Sequence, residues 1–172
     1  FITTSTTPND WRNPKNDTLW QGVDGTNNPC TAGFRLPTDA EWQAEIDTWG
    51  DMNNAGAFDS PLKLPAAGYR YYFNGSTYDV DSRGYYWSSS VDGESTRFLF
   101  INSESASMSS GFRALANSVR CIKDEYTLSV SVQGDGTVTP TLGVYAPGTE
   151  AQISATPGEG AVFVGWSGDA SG

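Results

Sequence analysis

Histidine is absent from this chain, and several other residue types are scarce. Its 172 residues include two cysteines, two methionines, and ten lysines and arginines against twenty aspartates and glutamates. Without histidine, neither a Ser-His nor a Cys-His nucleophile pair can form. Zinc sites built on imidazole are excluded, and two cysteines are too few for an all-thiolate structural site. The formal net charge of −10 repels polyanions, which argues against a nucleic-acid partner. No apolar run approaches the roughly 20 residues that a membrane-spanning helix needs. The chain begins at Phe1 rather than Met and shows no signal peptide, so it reads as a processed chain or an excised fragment.

Aromatic residues are plentiful, with six Trp, eight Tyr and eight Phe. They are set among Gly, Ser, Thr, Asn and Asp. Two cysteines in such a composition fit one disulfide in an oxidising compartment, with two buried thiols as the other reading. A Cys30–Cys121 bridge would close a loop of about ninety residues, worth about 4 kcal/mol in the chain-entropy model. The sequons at Asn16-Asp17-Thr18 and Asn74-Gly75-Ser76 are weak signals, because such tripeptides recur by chance.

Composition changes near Asp124-Glu125. All ten basic residues precede that point, and from Tyr126 onward Thr, Val, Ser, Gly and Pro dominate. A boundary there divides the chain into 1–124 and 125–172. In the first part, residues 1–33 read as loop, anchored by Trp11 and Trp20. Thr38 and Glu41 form a capping box, and Asp39 and Glu41 suit the positive helix end. Trp42, Ile46 and Trp49 share one face at i, i+4 and i+7. Gly50 is placed to end the helix in a left-handed conformation. The expectation is one main amphipathic helix of about eleven residues. Residues 64–72, 85–89, 97–102 and 118–123 read as strands. One helix beside short antiparallel strands makes an α+β domain. The second part reads as a small all-β domain, with strands at 126–132, 137–139, 150–156 and 161–166. Its Gly134-Asp135-Gly136 turn predicts a hairpin between the first two.

Four blocks carry a resemblance in the first part. They are Asn28-Pro29-Cys30-Thr31-Ala32-Gly33-Phe34-Arg35-Leu36-Pro37-Thr38-Asp39-Ala40-Glu41-Trp42, Leu64-Pro65-Ala66-Ala67-Gly68-Tyr69-Arg70, Gly84-Tyr85-Tyr86-Trp87-Ser88-Ser89-Ser90 and Ser118-Val119-Arg120-Cys121. In order and spacing they resemble the Fibrobacter succinogenes major paralogous domain, a family of secreted or surface proteins related to the formylglycine-generating, sulfatase-modifying domain. The resemblance implies a C-type-lectin-like fold for 1–124, N-terminally truncated relative to the family, and a Cys30–Cys121 disulfide. Residues 126–172 resemble a divergent internalin-type B repeat through Tyr126-Thr127-Leu128-Ser129-Val130, Gly134-Asp135-Gly136-Thr137-Val138-Thr139-Pro140, Tyr145-Ala146-Pro147-Gly148-Thr149 and Val164-Gly165-Trp166-Ser167-Gly168-Asp169. That resemblance implies a bacterial surface repeat, here partial.

The chemistry points away from catalysis. Formylglycine-generating relatives use reactive cysteines, and here only the presumed structural pair exists. Asp39, Glu41, Glu45 and Asp47 fall on the helix, where a solvated face is the plain reading. Asp79-Val80-Asp81-Ser82-Arg83-Gly84 starts like an EF-hand, but Arg83 replaces a ligand and Ser90 stands at position twelve. No cofactor is expected beyond a weakly indicated structural calcium at Asp79, Asp81, Asp92 and Glu94. Between Tyr69 and Ser90, rings alternate with small polar residues, as in antibody paratopes. Tyr69 and Trp87 are expected in the core. Tyr71, Tyr72, Phe73 and Tyr78 are the candidate ligand contacts, with a Ser-rich loop at 104–113 beside them. The function expected is a non-catalytic extracellular or cell-surface module for binding or adhesion. Its partner would be a protein or glycan met through Tyr-rich loops. The alternative is a structural subunit of an extracellular filament or surface assembly, in which copies of the chain join through open sheet edges.

Overall fold

The computed structural model describes residues 9–145 and 149–168. Expectations on residues 1–8, on 146–148 of the Tyr145–Thr149 block and on 169–172 of the final loop lie outside the described residues. The chain divides into two compact units, Phe1–Lys123 and Asp124–Gly172.

The first unit runs β1 (Phe34–Arg35), α1 (Asp39–Ile46), α2 (Asn54–Asp59), β2 (Tyr69–Arg70), β3 (Thr77–Tyr78), β4 (Gly84–Asp92), β5 (Ser95–Ile101), β6 (Ala106–Gly111) and β7 (Ile122–Lys123). The expected α+β, C-type-lectin-like domain with a main amphipathic helix is therefore corrected. The chain is mainly β, in small antiparallel sheets, with helices of only eight and six residues. The start of α1 is as its residues dictate: Thr38 accepts from the Glu41 amide while the Glu41 carboxylate accepts from the Thr38 amide at 2.8 Å. The end differs. Asp47 caps the helix in a right-handed conformation with φ −65°, three residues before Gly50. Trp42 and Ile46 are its buried residues, and Trp49 is buried beyond its end. Two buried residues on a two-turn helix do not make a main amphipathic element.

The organising element is the meander β4-β5-β6. Side chains alternate across a strand, and here both faces are covered. Tyr86, Leu99 and Ile101 join Trp42, Ile46, Trp49 and Leu64 in one core cluster. Trp87 and Phe98 join Leu36 on the other side, with Trp20, Cys30, Tyr85 and Phe100 packed against them. Burial on both faces explains the short apolar runs Tyr85-Tyr86-Trp87 of β4 and Phe98-Leu99-Phe100-Ile101 of β5.

The Trp87-Ser88-Ser89-Ser90 stretch bulges out of register with β5. The freed groups secure the start of α1. The Ser89 amide donates to the Pro37 carbonyl at 2.8 Å. The Asp39 amide donates to Ser90 Oγ at 2.9 Å, and Trp42 Nε1 donates to the Trp87 carbonyl at 3.1 Å. Strand β1 pairs with β7, and the Cys30–Cys121 disulfide joins residues close to this pair.

Two further strand readings change. Of residues 64–72, only Tyr69–Arg70 is strand. Residues 104–113, read as a Ser-rich loop, contain β6 in full register with β5. Ala106 and Met108 of β6 pack on the core, and that period-two signal was hidden among serines.

The second unit holds β8 (Tyr126–Ser129), β9 (Gly136–Thr139), β10 (Leu142–Tyr145) and β11 (Ser154–Pro157). The predicted β8–β9 hairpin does not form. Instead β8 pairs with β10, and β9 pairs with β11. A type I′ turn needs two consecutive residues of positive φ. Gly134 and Gly136 have positive φ, but Asp135 between them does not. The Asp135 carbonyl accepts from the Gly158 amide at 3.1 Å, so this loop serves the β9–β11 pair. Residues 161–166, expected as a strand, make no ladder among the described residues, and Val162 and Val164 are 81% and 97% exposed.

Candidate functional site

The Tyr-rich stretch folds as a short hairpin set against β4. Tyr69 pairs with Tyr78 and Arg70 with Thr77. The turn is closed by the Tyr71 amide on the Ser76 carbonyl and the Gly75 amide on the Tyr71 carbonyl, both at 2.9 Å. Gly68 enters it at φ +68°, where a Cβ would stand 2.1 Å from the Tyr78 carbonyl oxygen. Only glycine admits that approach.

The hairpin lays its rings in a continuous series. Tyr71 meets Tyr78 edge-on at 6.0 Å, and Tyr78 stacks on Tyr69 at 5.7 Å. Tyr69 meets Tyr85 at 4.9 Å, and Tyr85 rests on Phe98 and Phe100. The series therefore runs from the surface into the sheet. Offset and edge-on pairs of this kind each add about 0.5–1.5 kcal/mol beyond their burial. Trp87 lies in the core as expected, whereas Tyr69 is half-buried in the series.

The four candidate contact residues separate. Phe73 is 74% exposed at the tip and Tyr78 is 41% exposed, while Tyr71 is half-buried. Tyr72 is corrected: it is buried, 9% exposed, with its ring between Tyr71 and Phe112. It lies in the turn after β2, where its ring packs against Phe112 at 6.1 Å. Two neighbours were not singled out by the sequence reading. Asn74 Nδ2 donates to the Tyr78 hydroxyl at 3.0 Å, holding that ring. Phe112, 45% exposed, borders the face from the end of β6. An Asn before Gly in a ring-rich hairpin was a readable turn signal, and Phe112 falls within residues 104–113, which the sequence set beside the rings.

Polar groups flank the rings. The Tyr85 hydroxyl donates to Asp79 Oδ2 at 2.6 Å, and Arg83 pairs with the same oxygen at 3.3 Å. Burial first, then that bond to Asp79, pushes the Tyr85 hydroxyl up to about 12. Asp79, Ser82, Arg83, Asn102, Ser103 and Glu104 line an adjoining polar cleft of about 310 Å³. The calcium candidates are not gathered. The Asp79 carboxylate is taken by Tyr85 and Arg83, and Asp92 accepts from the Ser110 hydroxyl at 2.6 Å. Asp81 and Glu94 are exposed. Among the described residues no three His, Cys, Asp or Glu side chains are placed to hold a metal. The arrangement offers stacking area with hydrogen-bonding groups beside it.

Residues 126–172 match the family model described as Divergent InlB B-repeat domain. No curated protein and no solved structure matches the chain. The repeat and the Cys30–Cys121 disulfide point to a surface or extracellular protein. No helix among the described residues is long and apolar enough to cross a membrane.

Proposed function

We propose that this chain is a non-catalytic binding or adhesion module of a bacterial surface, recognising a protein or glycan through the Tyr69–Tyr85 face. The observation that carries this reading is exposed Tyr78, seated on a series of rings anchored in β4 and β5, with exposed Phe73 at the tip of the same hairpin. Rigid rings lose little conformational entropy on binding, and aromatic anchors dominate binding hot spots. The polar cleft beside them suits hydroxyl or amide groups of a ligand. The resemblance of residues 1–124 to the Fibrobacter succinogenes paralogous domain supports the same extracellular setting. An array of surface glycans and extracellular proteins tests the reading. Wild type is expected to give saturable binders that Phe73→Ala/Tyr78→Ala loses, with none of them chemically altered. An array without binders, or turnover of a bound compound, contradicts it.

A second reading rests on residues 161–166. This apolar segment makes no ladder among the described residues, and unpaired backbone groups template pairing between chains. Copies joined there would form a surface assembly or filament. Sedimentation at rising concentration tests it: association that Val164→Lys abolishes is expected, and a monomer throughout contradicts it.

A further inference from the structure

A second concavity lies on the first unit, apart from the Tyr-rich face. It has a volume of about 120 Å³. Its apolar lining is three indoles, Trp11, Trp20 and Trp87, with Leu19 and Val91. The loop before β1 crosses the bulged half of β4 here, held by a hydrogen bond from Gln21 Nε2 to the Ser89 carbonyl. Trp20 enters the lining from a left-handed backbone, φ +62°. Bulky residues rarely adopt that conformation, and it persists only where the surrounding structure imposes it. The polar lining includes Asp10, Arg12, Asn16, Thr96 and Arg113.

Much of that polar lining is engaged within the protein. Asn16 Oδ1 accepts from the Thr18 amide and hydroxyl at 2.8 and 2.7 Å, and Thr96 Oγ1 donates to the Ser90 carbonyl at 3.3 Å. Asp10 accepts from the Arg12 amide at 2.9 Å and lies 3.9 Å from the Arg113 guanidinium, which also meets Asp17 at 2.6 Å. Arg113 Nε differs: it is buried and has no hydrogen-bond partner among the described residues. A buried donor left unpaired is costly, so this wall calls for an acceptor. The acceptor must be neutral, because a carboxylate would stand as a third anion beside Asp10 and Asp17. It must also ride on a small apolar body. An aromatic ring needs a cavity of about 150 Å³ and brings no acceptor. A bare sugar ring brings several hydroxyls to one open donor, and burying them unsatisfied is unfavourable. An acetamido group brings one carbonyl oxygen for Nε and a methyl for the indoles, and leaves its N–H at the open rim.

We infer that this cavity binds the acetamido group of an N-acetylhexosamine, with its methyl between Trp11, Trp20 and Trp87 and its carbonyl on Arg113 Nε. The pyranose then lies at the rim, where Arg12 and Val91 are exposed. The test titrates the full chain with N-acetylglucosamine, glucose and acetyl-lysine amide, followed through the indole N–H resonances. N-acetylglucosamine is expected to give saturable shifts at the three lining indoles and not at Trp49 or Trp166. Glucose, which lacks the acetamido group, is expected to give none, and acetyl-lysine amide to bind more weakly. Arg113→Lys keeps the charge and removes Nε; Val91→Trp narrows the rim from an exposed position. Each is expected to weaken binding about tenfold or more, and if Arg113→Lys loses its dispersed spectrum, Val91→Trp decides. Absence of saturable shifts with N-acetylglucosamine, or equal affinity in either folded variant, overturns the site. Equal binding of glucose overturns the acetamido assignment, and tighter binding of acetyl-lysine amide overturns the sugar in favour of a modified peptide. Shifts confined to the Asn74 side-chain amide belong to the Tyr-rich face and overturn this site while leaving that reading intact.

Discussion

Arg113 lies almost out of solvent, with 11% of its side chain exposed, and holds the loop before β1 against β4 and β5. It faces buried Asp10 and accepting carbonyls at Asn16, Gly93 and Ser95. Removing one partner of a buried pair costs more than the pair contributes, because the other charge stays buried. Arg113→Ala is expected to cost about 3 kcal/mol, read as a fall in the urea midpoint with unchanged slope. Glu41 gives a second test at this scale. The Arg35 guanidinium first, then Thr38, hold its carboxyl down at about 2 against an ordinary value of 4.5. A depressed carboxylate stabilises above its unfolded value, and that contribution fades as pH falls through the folded one. The stability gap between wild type and Glu41→Gln is therefore expected to be full at neutral pH, to shrink between about 4.5 and 2, and to vanish below. Denaturation across that window checks it. Tyr85 and Tyr86 act oppositely. Burial pushes both hydroxyls up to about 12 from 10.0. Their contribution is present below 10 and is lost as pH rises to 12. Spectrophotometric titration is expected to show two tyrosines ionising last, together with unfolding.

At the scale of elements, local signals were legible where the partner was a neighbour in sequence. Thr38 and Glu41 sit three residues apart, and the capping box is present. Thr38→Ala is expected to cost about 1 kcal/mol by loss of that cap, measured as a fall in thermal midpoint. Legibility failed where a long-range partner decided the outcome. The end of α1 could not be read from Gly50, because Asp47 and the burial of Trp49 set it first. Strand β6 was hidden because its partner β5 supplies the ladder and its own serines look like loop. The β8–β9 hairpin was locally plausible, yet β9 pairs with β11, fifteen or more residues onward. In the candidate site the ring-rich composition was visible, and Phe73 and Tyr78 are exposed. Tyr72 is buried because its ring packs on Phe112, forty residues onward, a contact that composition does not carry.

For the molecule as a whole, two properties dominate. One is closure of the first unit by a disulfide spanning 91 residues. Constraining an unfolded loop of that length is worth about 4 kcal/mol. Reduction is expected to lower the melting temperature by roughly 15 °C for a unit of this size, and a reduced chain that melts unchanged contradicts that account. The other is the pairing of a ring-rich face in the first unit with a bacterial surface repeat in residues 126–172. The proposal places recognition on the first unit, while residues 126–172 have their own exposed apolar residues at Phe163 and Trp166. Affinity of one array-selected ligand, measured by titration calorimetry across three variants, separates them most directly. Phe73→Ala and Tyr78→Ala are each expected to weaken binding at least tenfold, with Phe163→Ala unchanged. Equal affinity in all three, or loss in Phe163→Ala alone, contradicts recognition through the Tyr-rich face.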